Sequence, residues 1–149
     1  DKWIQRKLVP FDAKDIIVEF QNTPYLNCNY DSNIFFLSVF IQIHNSTLYN
    51  IQIHSCECTS SVSGYEFIRS TKSSLLLLKS GSIGQYELQK SLDSHEVKRA
   101  EELFGNNDTK VTNFEFQFSI AITSEAEMIP SIIKTACITR CKIGNPVNA

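Results

Sequence analysis

The chain has little of what most nucleotide-binding and hydrolytic sites require. It holds only five glycines in 149 residues. None forms a phosphate-cradling loop, and no G-x-S-x-G elbow occurs. No apolar run approaches the roughly eighteen residues of a membrane-spanning helix, and Leu75 to Leu78 is only four long. Basic residues are not in excess: 14 Lys and Arg stand against 16 Asp and Glu, a net charge of −2. No basic cluster exists to neutralise phosphates, so nucleic acid is not an expected partner. There is no internal repeat, heptad or Pro-rich linker. No initiating Met or signal-peptide pattern opens Asp1 to Pro10, which reads as a piece of a larger protein.

What is present is alternation. Between Ile34 and Cys58, residues Phe35, Leu37, Val39, Ile41 and Ile43 share one face, with Phe36, Ser38, Phe40, Gln42 and His44 on the other. After a polar turn, His44 to Thr47, the residues Tyr49, Ile51 and Ile53 continue an apolar face against Asn50, Gln52 and His54. The expectation is two long antiparallel strands paired as a hairpin, with one dry face that needs a second layer over it. Phe114, Phe116, Phe118, Ile120 and Ile122 define another strand of the same kind. Ile16 to Phe20, Tyr65 to Arg69, Leu75 to Lys79, Ile83 to Lys90 and Ile132 to Ile143 complete the strands, the middle three as a meander. The stretch from Asn22 to Asn33 reads as a polar loop, Thr59 to Gly64 as a small-residue connection, Asn106 to Thr109 as a turn and Ser124 to Pro130 as an acidic loop. Pro10 argues against a strand at the start, where Trp3 and Ile4 would tuck against an edge or belong to a linker. Asp93 to Phe104 alone breaks the pattern. It is rich in helix formers, Gly105 stops it, and Asp93 with Glu96 has capping-box spacing. Val97, Ala100, Leu103 and Phe104 would be its apolar stripe.

Together these features predict an all-β, two-sheet antiparallel sandwich of about eight strands with one short helix at 93–104. Residues 1–149 suit a single domain that buries about two thirds of its unfolded surface. The expected core is Leu37, Val39, Ile41, Ile43, Ile51, Ile53, Phe114, Phe116, Phe118 and Ile120.

Candidate chemistry is sparse. His54, Cys56 and Cys58 form an H-x-C-x-C string, but on an extended strand residues two apart are separated by about 6.5–7 Å, too far to share one tetrahedral zinc unless a bulge intervenes. No metal or other cofactor is expected. The five cysteines, Cys28, Cys56, Cys58, Cys137 and Cys141, are odd in number and lack the spacing of a disulfide scaffold, which favours reduced thiols and a cytoplasmic address. Two N-x-S/T matches, at Asn45 and Asn107, stand on the other side and would suit a secreted or extracellular domain. A nucleophilic cysteine needs a base, and only His44, His54 and His95 are available, the first two facing each other if the hairpin forms. The carboxylates Asp93, Glu96, Glu101 and Glu102 are expected on a solvated helix face.

The run Val39 to Thr47, followed by Tyr49 to Ile53, resembles the first paired strands of immunoglobulin-like appendage domains in vesicle-coat adaptors and TRAPP-type tethering subunits, where a strand ends in an N-S/T turn before its partner. Leu75 to Leu88, with its Ser80-Gly81-Ser82 turn, resembles a later passage of those domains. The resemblance implies an immunoglobulin-like sandwich acting in membrane trafficking and carries over no binding residue. The functional expectation is a non-catalytic interaction or scaffold domain of a multi-subunit assembly, with other proteins as partners and no small-molecule substrate. Phe36 and Phe40, opposite the main apolar row, are buried by the helix or a second layer or left for a partner. The alternatives are an extracellular adhesion or receptor-type sandwich and a Cys/His-dependent enzyme domain.

Overall fold

A computed structural model of the chain describes residues 9–105 and 109–144. Trp3, Ile4, Asn107 and most of the 106–109 turn lie outside the described residues. Among those described, nine strands and one α-helix follow in order: β1 Ile16–Phe20, β2 Tyr25–Asn29, β3 Ile34–Asn45, β4 Ile51–Val62, β5 Tyr65–Lys72, β6 Leu76–Leu78, β7 Ile83–Ser91, α1 Ser94–Phe104, β8 Lys110–Ser124 and β9 Glu127–Gly144. A single 3-10 turn, Ala13–Asp15, precedes β1. The all-β class with one short helix holds. In place of two separate antiparallel sheets of about eight strands, the nine strands form one mixed sheet.

β3 is flanked by β7 on one edge and by β1 and then β2 on the other, all antiparallel. β4 is flanked by β8 on one edge and by β5 and β6 on the other. β9 pairs with β8, and a short parallel pairing of Tyr25–Asn27 with Lys142–Gly144 joins β2 to β9 and so the two groups. The sheet turns over on itself, because the Phe20 ring of β1 meets Phe116 and Phe118 of β8 edge-on, with centroids 5.3 and 5.7 Å away. Between the facing halves lies the core. Every residue expected there is buried, Ile41, Ile43, Ile53, Phe114, Phe116 and Ile120 completely.

The hairpin expected between Ile34 and Cys58 does not form. β3 and β4 are both strands, but they pair with different partners, and residues 46–50 carry the chain from one half of the sheet to the other. Asn45 holds this corner. Its side-chain amide donates to Tyr49 O at 2.8 Å and Leu78 O at 3.1 Å, while its Oδ1 accepts from Thr47 N and from Thr47 Oγ1 at 2.6 Å. Polar atoms this deeply buried need such partners, and these bonds turn the chain out of the hairpin path. The "meander" is likewise split, since β5 and β6 pair with β4 while β7 pairs with β3. The polar loop at 22–33 contains β2, whose Asn27 is buried and donates to Ile34 O. Thr59 to Val62 extends β4, and only Ser63 and Gly64, both at positive φ, turn the chain into β5. Ser124 to Pro130 is partly strand, β9 beginning at Glu127.

The helix begins as its cap predicts. Asp93 accepts from Glu96 N at 2.8 Å and the Glu96 carboxylate accepts from Asp93 N at 3.0 Å. Its buried face differs from the expected stripe: Ala100 and Phe104 are inside, Val97 is half-buried and Leu103 is 44% exposed. Glu96 takes the inner place, where Lys90 Nζ pairs with it at 2.8 Å.

Candidate interaction surface

The structure disperses the residues that carried candidate chemistry. Register shifts between Ile53 and Ser55 against β8, which makes His54 the extra residue of a β-bulge. Inward positions therefore change parity, from Ile51 and Ile53 to Cys56 and Cys58, all buried, while His54 points outward and meets Thr123 Oγ1 at 2.6 Å. The bulge that was to rescue an H-x-C-x-C metal site instead separates the histidine from both thiols. No group of three metal-ligating side chains is found among the described residues. His44 and His54 do not face each other. His44 lies 3.5 Å from Glu19, and His95 is exposed at the start of α1. The five thiols are unbridged, and burial raises every one of them: Cys28 to about 11, Cys56 and Cys141 to about 12, Cys58 and Cys137 also upward. A thiol held protonated is a poor nucleophile and a poor ligand. Of the helix carboxylates, Glu101 and Glu102 are exposed as expected, but Glu96 is buried.

Phe36 and Phe40 are half-buried on the outer face of β3. Phe36 borders an open cleft with Leu92, Ser94 and Val97 at the head of α1, so the protein's own helix covers part of it. Phe40 sits beside Glu87 of β7, in polar company.

The surface that stands out is the edge of β9. The two sides where the sheet folds over are unlike. On one, β7 closes against β5 and β6: Lys72 Nζ donates to Glu87 O at 2.9 Å and Tyr86 Oη donates to Ser74 O at 2.8 Å. Gly84 is bare there because a Cβ would come within 2.9 Å of Leu76 and 3.0 Å of Leu78. On the other side, β9 is joined only at its end, by β2 at Lys142–Gly144. From Glu127 to Cys141 no described strand pairs with β9 on the side away from β8, and the 3-10 turn at Ala13–Asp15 merely approaches it. Such an edge exposes a row of backbone donors and acceptors. Its side chains are apolar for an exposed strand: Ile129 is 76% exposed, Ile132 62% and Ile138 71%. The sequence places a strand at Ile132 to Ile143 but marks it only faintly as an edge. The available signal was the poor alternation of Ile132-Ile133-Lys134-Thr135-Ala136, which is unlike a strand with one dry face.

No protein-family model matches the chain, and no curated protein matches it in sequence. Solved structures do match in shape. A Northeast Structural Genomics Consortium target solved by X-ray is similar with a TM-score of 0.55 at 12% identity, over 94% of this chain and 93% of the other. A protein assigned as late embryogenesis abundant, solved in solution, gives 0.52 at 11% identity, over 97% and 79%. A Bordetella pertussis protein assigned as ApaA gives 0.50 at 13% identity, over 88% and 95%. At these identities the likeness shows the fold alone. Nothing in these matches points to a vesicle-coat or TRAPP subunit, and that resemblance is set aside. Its physical basis is gone as well, because it rested on β3 and β4 as paired strands across an N-S/T turn, and they are not paired.

Proposed function

We propose that the chain is a non-catalytic protein–protein interaction domain that makes its contact through the open edge of β9. The observation that carries this reading is the side of Glu127–Cys141 away from β8, with which no described strand pairs, and its exposed isoleucines. An incoming extended segment would satisfy the free backbone groups of the edge, and Ile132 and Ile138 would provide the apolar contact. A catalytic role has little to build on, since His44 lies against Glu19 and His54 against Thr123 rather than against a thiol, and the thiols are held protonated. We place the domain in a reducing compartment. The unbridged thiols support this, as does Asn45, whose amide nitrogen is already committed to two buried carbonyls.

The test is affinity purification of the parent protein with mass spectrometry, comparing wild type, a version lacking this domain, and Ile132→Lys and Ile138→Lys variants that keep native circular dichroism. Defined partners, including an untagged second copy of the chain expressed beside the tagged one, should be lost with the domain and with either variant. A partner list unchanged by removing the domain, together with loss of a turnover activity, would sink the reading.

A further inference from the structure

We infer that the occupant of the β9 edge is a second copy of this chain, its β9 added antiparallel across a two-fold axis at Thr135. This rests on the reading of β9 as an open edge. A two-fold axis perpendicular to a continuous sheet sets one residue opposite its own copy, and directly opposed residues share a face. Few registers are therefore possible, and the side chains choose among them. With Thr135 as the centre, Ile132 of one copy falls opposite Ile138 of the other, twice over. Ile133 falls opposite Cys137, and Ser131 opposite Thr139. Ile132 and Ile138 are then both covered, and at 62% and 71% exposure they have much to gain.

The charges point to the same register. Lys134 falls opposite Ala136 and Arg140 opposite Pro130, so no like charges meet. Centring on Lys134 would oppose the two lysines, centring on Ala136 would oppose Ile132 and Arg140, and centring on Cys137 would oppose Lys134 and Arg140. Like charges directly opposed across strands are unfavourable, whereas apolar and Thr–Thr pairs are favourable. Lys134 thus acts against the wrong registers and is harmless in the right one, where a small alanine leaves room for its stem. Edge pairing over so few residues is smaller than a standard stable interface, so the association should be weak and visible only at high concentration.

The experiment is sedimentation equilibrium of the chain up to about 1 mM, paired with hydrogen exchange at low concentration. Expected is a concentration-dependent dimer that Ile132→Glu or Ile138→Lys alone weakens about tenfold. The double variant, which sets the introduced carboxylate of one copy against the introduced ammonium of the other in this register only, should recover it. A wild type that stays monomeric throughout, or a double variant that is weaker than both singles, overturns the dimer. Hydrogen exchange separates that failure from failure of the open edge: β9 amides directed away from β8 should exchange freely in the monomer. If they do and no dimer forms, the second copy alone is wrong, and if they are protected the edge itself is not open.

Discussion

Asn45→Ala should be among the most damaging single changes outside the hydrophobic core. Asn45 is 1% exposed, and its side chain makes four hydrogen bonds: to Tyr49 O, to Leu78 O, from Thr47 N and from Thr47 Oγ1. Truncation does not strand all of these partners. Thr47 Oγ1 keeps Tyr49 O as an acceptor at 3.0 Å and still accepts from Tyr49 N. Thr47 N and Leu78 O each lose their bond to the side chain in a site closed to water. At about 1–3 kcal/mol for each of the two buried groups left unsatisfied, the cost is about 2–6 kcal/mol. Urea unfolding followed by far-ultraviolet circular dichroism measures it, as a lower midpoint at unchanged slope. A loss below about 1 kcal/mol would refute the account of the corner, because it would mean that water or a shifted backbone replaces the asparagine freely. The same geometry makes a second demand. A glycan on Asn45 would take the nitrogen that donates to Tyr49 and Leu78, so chain recovered folded from a secretory host should carry none there by intact mass. A natively folded species glycosylated at Asn45 would show that the corner tolerates losing its donor.

Phe116→Ala should cost about 3–5 kcal/mol in the same unfolding assay, since the ring is fully buried and packs on Phe20, Phe114 and Phe118. A near-neutral value would place it outside the core. Asp93→Ala should cost about 1 kcal/mol by removing the acceptor for Glu96 N, with Asp93→Asn losing much less. Stability should fall as pH rises above 9, the ordinary value of the thiol here, because Cys28, Cys56 and Cys141 ionise in the unfolded chain but stay protonated in the folded one until about 11 to 12. Urea midpoints from pH 8 to 11 check the sign, and a flat profile in which native thiols react with a disulfide reagent at pH 8 would contradict the burial.

The sequence by itself determined what depends on neighbours along the chain. Period-two alternation assigned the inward face of β3 and β8 residue by residue, because successive side chains on a strand point to opposite faces whatever the strand pairs with. The Asp93–Glu96 box placed the start of α1 for a similar reason, since its bonds span three residues. Even the bulge at His54 left a trace, as the apolar positions change from odd at Ile51 and Ile53 to even at Cys56 and Cys58.

Only the tertiary structure decided which edges meet. Alternation says which side chains share a face and is silent on the partner of either edge, so β3 and β4 looked like a hairpin and are instead strands of opposite halves. β2 read as a loop because its asparagines favour turns, yet Asn27 lies inside, its amide nitrogen donating to the carbonyl of Ile34. Glu96 read as solvated because nothing nearby in the chain announces that Lys90 will reach it. The open edge of β9 belongs to the same class: strand pairing is made by backbone atoms that all residues but proline share, so the lack of a described partner on the side of Glu127–Cys141 away from β8 leaves only a faint mark on the side chains.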